Sequence, residues 1–216
     1  MSPIRLVLLA TVIALAGCGS VPDGARSWTS FVDYPVPSYS RQSDSQGKTQ
    51  SSPELHLRTG TQEFVRLVLH QVRPDRTHVW YGPENTVLET INLRVILTSA
   101  QHRSDLRRLI ALTTDPVRTG QLDRAHGQSF FYRLDAQPSS YRVVGQAQYT
   151  PVEVNTVLGA QEPFAVTVYR EHWVVEDYDF SSDNLYWVSS DGKTVASRAQ
   201  YLPGLPELTL TWVSHD

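Results

Sequence analysis

The sequence predicts a mainly β protein, an antiparallel meander that curls into an open barrel or a sandwich, with one short helix near residues 104–112. Three observations carry this. Short runs rich in Val, Ile, Leu, Tyr and Trp recur between turn residues along most of the chain. Pro (13) and Gly (12) are spread out and not gathered in one linker, as many short strands joined by turns require. The stretch Asn184 to Trp212 holds the clearest hairpin signal, two strand-like arms around Asp191-Gly192. With 216 residues, 40% hydrophobic and 10% aromatic, the chain has material for a sizeable core, in one large all-β domain or two small ones.

The N-terminus precedes the fold and reads as a processing signal. Arg5 is the lone charge before the apolar run Leu6 to Leu15, which is too short for a comfortable membrane-spanning helix. It ends in Leu15-Ala16-Gly17-Cys18, which resembles the lipobox of bacterial lipoproteins. That pattern implies cleavage before Cys18 and lipidation of its thiol and amine. Cys18 is the only Cys, so no intrachain disulfide can form, and a free thiol in an exported chain would be a liability. The expected organisation is a signal peptide over 1–17, a lipidated tether over 18–53 and a β domain over 54–216. Gly19-Ser20 after the Cys lacks the Asp of an inner-membrane retention signal, so the expected address is the periplasmic face of the outer membrane. A formal net charge of −3 offers no basic footprint for nucleic acid.

Within the tether, Gln42 to Ser52 is polar and Ser/Gln-rich, whereas Trp28 to Tyr39 carries four aromatics and reads as a strap packed on the domain. Phe64–Leu69 and Thr77–Tyr81 then form a strand pair across Arg73-Pro74-Asp75. Gly82-Pro83-Glu84-Asn85 turns the chain into Val87–Ile91 and Arg94–Leu97. Ser104 as a cap, with Leu106, Leu109 and Ile110 at i, i+3, i+4, predicts the one helix, stopped by Thr114-Asp115-Pro116. Strands follow at Phe130–Leu134, Tyr141–Tyr149, Val152–Val157 and Phe164–Val175. In the last hairpin a two-residue loop at Asp191-Gly192 places Trp187 opposite Ala196 and Tyr186 opposite Ser197. Pro203 to Pro206 leads out of it to a final strand, Leu208–Val213.

Chemistry is sparse. The seven His form no H-E-x-x-H pattern or close pair, so no metal site is expected, although His70 and His78 are candidates to face each other across the first hairpin. Asp177, Asp179, Ser181 and Asp183 have the spacing of a calcium loop, but Ser182 replaces its Gly and Val188 its bidentate Glu. Glu171 and Glu176 fall on opposite strand faces by parity, against a paired-carboxylate glycosidase site. No nucleophile elbow, phosphate loop or dinucleotide fingerprint is present.

Three segments together resemble the YjbF/GfcB family of capsule and exopolysaccharide lipoproteins. They are Trp80 followed by a turn and Leu93-Arg94-Val95-Ile96-Leu97-Thr98-Ser99-Ala100; Leu109 to Asp115-Pro116; and Glu171 through Asn184, Tyr186-Trp187-Val188, Gly192, Ser197, Gln200 and Pro203 to Pro206. Leu93 stands where the family usually has Gly, and Ser189 where it usually has Asp. The resemblance implies an all-β periplasmic domain tethered to the outer membrane through Cys18. It implies a non-catalytic role, without cofactor, in exopolysaccharide or capsule production or export, with polysaccharide or polysaccharide-export proteins as partners. Arg94, Trp187, Asn184, Gln200 and Tyr201 are the candidate contact residues, Asn184 and Gln200 foremost because neither has an evident structural need. Two other classes compete: a glycan-modifying hydrolase, and a lipid or lipoprotein carrier with an open β-barrel cavity.

Overall fold

The computed structural model describes residues 53–99, 105–137, 141–157 and 164–213. The signal peptide, Cys18, the aromatic strap and Ser104 lie outside them. Twelve strands follow in order: β1 (Glu54–Thr59), β2 (Val65–Val72), β3 (His78–Tyr81), β4 (Val87–Ile91), β5 (Arg94–Ser99), β6 (Leu106–Ala111), β7 (Ser129–Ala136), β8 (Tyr141–Val157), β9 (Phe164–Val175), β10 (Phe180–Ser189), β11 (Thr194–Ala199) and β12 (Leu208–Val213). The single short α-helix, α1, spans Pro116–Thr119.

All twelve strands join one antiparallel sheet in the order β5-β4-β3-β2-β1-β12-β11-β10-β9-β8-β7-β6. Sequence-neighbouring strands pair everywhere except β5 with β6, and β1 pairs with β12, so the first and last strands join the two halves. The hydrogen-bond ladder is interrupted between β5 and β6 alone, a seam in the middle of the chain. Side chains bridge that seam near one end, where the Leu106 amide donates to the Thr98 hydroxyl. The meander is thus a nearly closed barrel, the barrel arm of the expectation.

Strand alternation fills the interior. In β7, Phe130, Tyr132, Leu134 and Ala136 are buried while Ser129 and Phe131 are exposed. Trp80, Trp173, Tyr132, Tyr149, Tyr186 and Leu134 meet in one buried cluster. The N–H groups of the two fully buried Trp are satisfied, Trp80 by Thr90 Oγ1 at 3.0 Å and Trp173 by the Tyr201 carbonyl at 3.0 Å.

The expected helix over 104–112 is a strand, β6, and the helix lies just beyond, at the Asp115-Pro116 that was read as its stop. The reason is a bulge. Leu106 pairs with Ala136 and Arg108 with Asp135, so an extra residue, Arg107, is inserted between them. The bulge turns Leu109 inward beside Leu106, and the resulting three-residue spacing imitates a helical face. Asp115 acts as a cap and not a terminator, its Oδ1 accepting from the Val117 and Arg118 amides at 3.0 and 3.4 Å. The expected breaks at Tyr149 and Val152 are another bulge, inside the continuous β8.

The last hairpin keeps the predicted register with a different loop. Trp187 pairs with Ala196 and Tyr186 with Ser197. Ser189 donates to the Lys193 carbonyl and Gly192 to the Ser189 carbonyl, a three-residue loop with Gly192 at φ 82°. A register shift after Trp187 compensates the extra loop residue. His70 and His78 do not meet: His70 packs edge-on against Tyr81, while His78 stacks on Trp80.

Candidate functional site

Two features stand out, an ionic cluster inside the barrel and a basic cleft at one end of it. The cluster starts at the β4–β5 turn. Asn92 and Leu93 are both left-handed, at φ 50° and 57°, which makes a tight two-residue connection and sends the Arg94 side chain inward. Leu93 in that conformation costs about 1–3 kcal/mol. Its side chain is buried, a gain of about 1.5–3 kcal/mol, so a Leu is tolerated where the resemblance leads one to expect Gly.

Arg94 is fully buried and pairs with the fully buried Glu171 of β9, Nη1 to Oε1 at 2.6 Å. Glu171 Oε1 also accepts from the Tyr149 hydroxyl at 2.6 Å, and Oε2 from Asn184 Nδ2 at 2.7 Å and the Tyr186 hydroxyl at 3.2 Å. Both carboxylate oxygens are therefore occupied, which is what a charge buried this deeply needs. Tyr186 in turn accepts from Arg94 Nη1. Arg94 Nε lies 3.3 Å from Asp115 Oδ2, within ion-pair distance but off the line of a hydrogen bond. The guanidinium sits over Tyr132 at 4.6 Å and Tyr201 at 5.3 Å, so ring faces surround what the carboxylates leave open. Gly145 makes room for the cluster, since a Cβ there would lie 2.3 Å from the Trp173 ring.

The electrostatics follow. Burial opposes the Arg94 charge, but Glu171 and the surrounding phenols hold its pKa well above the ordinary value. Burial pushes the Asp115 carboxyl up, with Arg94 opposing. Burial also raises the phenols of Tyr132, Tyr149 and Tyr186 strongly, and pushes Tyr201 up to about 12. None of these groups reaches the surface. The cluster pins β5, β8, β9, β10 and the α1 cap to one another across the lumen.

Three turns close the barrel end above it. Asn92 Nδ2 donates to the Val117 carbonyl at 2.7 Å and the Gly192 carbonyl at 3.1 Å, and its Oδ1 accepts from the Thr194 amide at 2.8 Å. Gly120 and Gly192 touch backbone to backbone, and a Cβ on either would lie 2.7–2.8 Å from the other's carbonyl oxygen. Beside this junction opens a cleft of about 440 Å³, lined by Arg76, His78, Arg118, Lys193, Asp191 and Trp212 among others. Lys193 Nζ is 4.7 Å from the centre of the Trp212 ring. Burial lowers the His78 pKa, so the imidazole is neutral at neutral pH.

The residues expected to contact a ligand are mostly elsewhere. Arg94, Asn184 and Tyr201 are buried within the lumen, and Trp187, on the outward parity of β10 opposite Val168, is only 5% exposed. All four side chains are therefore buried in this structure. Asn184 and Gln200 have structural work after all. Asn184 joins Glu171 to the Gln200 amide, which reaches its Oδ1 at 2.8 Å. Gln200 Nε2 donates to the Leu205 carbonyl at 2.9 Å and so ties down the Pro203–Pro206 exit. Sequence reasoning missed Glu171 as the centre, although its inward parity between Tyr169 and Trp173 on an apolar face was a signal. The cleft residues carried no sequence signal, because their strands and turns meet only on closure.

The strands build a packed, nearly closed antiparallel barrel with an ion-paired core and a cleft beside the turns at one end. The chain belongs to the YjbF family: the family model described as group 4 capsule polysaccharide lipoprotein GfcB, YjbF matches residues 37–213. Its fold is shared with the crystal structure of the hypothetical lipoprotein YmcC from Escherichia coli (K12), at 18% identity and TM-score 0.68, covering 76% of this chain and 85% of that one. No curated protein matches the chain.

Proposed function

We propose that this capsule-associated lipoprotein is a non-catalytic component that holds polysaccharide during its production or export, at the periplasmic face of the outer membrane. The carrying observation is the contrast between the two features. The charged residues of catalytic type, Glu171, Arg94 and Asp115, are sealed in the core, whereas the accessible cleft offers cations and an indole ring. Clefts at barrel mouths are common ligand sites, and about 440 Å³ falls in the size range of such sites, about 300–1,000 Å³.

The test is to mix the purified full-length chain with the cognate polymer and follow both retention and chemistry. Retention without release of reducing ends or acetate supports the proposal. Turnover would move the protein to the glycan-modifying class. Failure to retain polymer, with capture of polysaccharide-export proteins from the envelope instead, would assign it to the secretion machinery and sink the polymer-holding reading.

A further inference from the structure

We infer that the ligand of the barrel-end cleft is an acidic sugar unit, one bearing a carboxylate, recognised by Arg76, Arg118 and Lys193 with Trp212 as its ring platform. This rests on the polymer-binding reading and names what that site selects.

Charge balance is the first argument. Arg76, Arg118 and Lys193 take part in no salt bridge among the described residues, whereas Arg73, on the same β2–β3 connection as Arg76, is paired with Glu89 at 2.6 Å. The one carboxylate lining the cleft, Asp191, is already engaged. It accepts from the Ser189 hydroxyl and from the Lys193 amide at 3.3 Å, contacts that lower its pKa. Arg118 and Lys193 act on Asp75 and Asp191 only through space, so three cations border the cleft with none of them in a salt bridge, and a concave wall concentrates their field on an anion.

Geometry is the second. Trp212 is held edge-on by Trp80 at 5.3 Å and His78 at 5.8 Å, so the indole is fixed rather than free to swing. The Lys193 ammonium stands 4.7 Å from the ring centre. A cation over the indole matches a sugar whose carboxylate draws the ammonium off the ring, so that its C–H surface packs on the face thus freed. Lys193 is exposed, and the arginines add fork-shaped donors. The floor is preorganised: Asn92 and the Gly120–Gly192 contact fix the two turns that carry Arg118 and Lys193. His78, neutral, contributes ring surface and no charge.

The experiment is calorimetry on the full-length chain in detergent, with four probes: a glucuronate-containing tetrasaccharide, maltotetraose, inorganic phosphate, and vesicles of anionic phospholipid. The expected result is binding of the uronate oligosaccharide at least tenfold tighter than maltotetraose, weakening as salt rises from 50 to 300 mM. Lys193→Gln and Arg118→Gln, each checked for native near-UV dichroism, lower that affinity at least fivefold. Trp212→Ala lowers it with little change in salt dependence. Equal binding of maltotetraose, insensitive to salt, overturns the acidic selection while leaving polymer binding intact. Tight binding of phosphate or vesicles that competes with the uronate probe overturns the sugar assignment. Absence of binding to any oligosaccharide and to the cognate polymer sinks both readings.

Discussion

Glu171 explains more of this molecule than any other residue. A carboxylate moved out of water loses several kcal/mol of solvation, and its burial is tolerable only where donors and a cation replace the water. Arg94, Tyr149, Asn184 and Tyr186 do so here. Removing the cation alone strands the charge, so Arg94→Met should lower stability by about 3–5 kcal/mol, whereas Arg94→Met with Glu171→Gln should lose clearly less. Urea unfolding followed by Trp fluorescence measures both, and a single variant within about 0.5 kcal/mol of the parent would show that the pair is not structural. The same burial gives an alkaline signature. Tyr132, Tyr149, Tyr186 and Tyr201 have raised folded-state pKa values, so the unfolded chain releases these protons first as pH rises above about 10. Their contribution to stability is complete below pH 10 and is lost above it. Absorbance at 295 nm should show these four phenols titrating only as the protein unfolds, and a smooth titration of all ten Tyr residues in the folded state would contradict it. The cluster itself was only half legible. Arg94, Asn184 and Gln200 stood out in the sequence, but their partners lie up to 92 residues away and are joined only by barrel closure.

At the scale of elements, turns decide where the cleft can form. Asn92 does two things at once, adopting a positive φ and stapling the α1 and β10–β11 turns with three hydrogen bonds. Each such bond contributes about 0.5–1.5 kcal/mol, so Asn92→Ala should cost about 2–4 kcal/mol, including the strain of Ala at that φ. Asn92→Gly keeps the turn without the staple. It should fall between Ala and the parent in thermal unfolding; a Gly variant as stable as the parent would mean the staple contributes nothing. Local sequence read most elements correctly because alternation and turn residues are short-range. It failed where a bulge changed the count. Arg107 shifted Leu109 into phase with Leu106 and disguised β6 as a helix. In the last hairpin the opposite happened: a three-residue loop and a register shift cancelled, and the pairing of Trp187 with Ala196 came out right with the loop wrong.

For the whole molecule, the topology points to a barrel that folds separately from its proposed anchor. The described core is assembled from strands between Glu54 and Val213, and β1 pairing with β12 closes it. An acyl anchor contributes about 0.8 kcal/mol per buried CH₂, so several chains at Cys18, as the lipobox resemblance implies, would hold the protein on a membrane durably. Among the described residues no helix is long and apolar enough to cross one. We propose that membrane residence depends on Cys18. Cys18→Ser should leave the thermal unfolding midpoint within a degree or two of the parent, because no core residue changes. It should also shift the protein from the membrane pellet to the released fraction after cell fractionation. The cleft should still bind its ligand in the released protein, since the turns that shape it belong to the barrel. If the variant pellets with membranes as the parent does, the anchor lies elsewhere. If it is released but loses its unfolding transition, lipidation and folding are coupled, and the separation drawn from the topology is wrong.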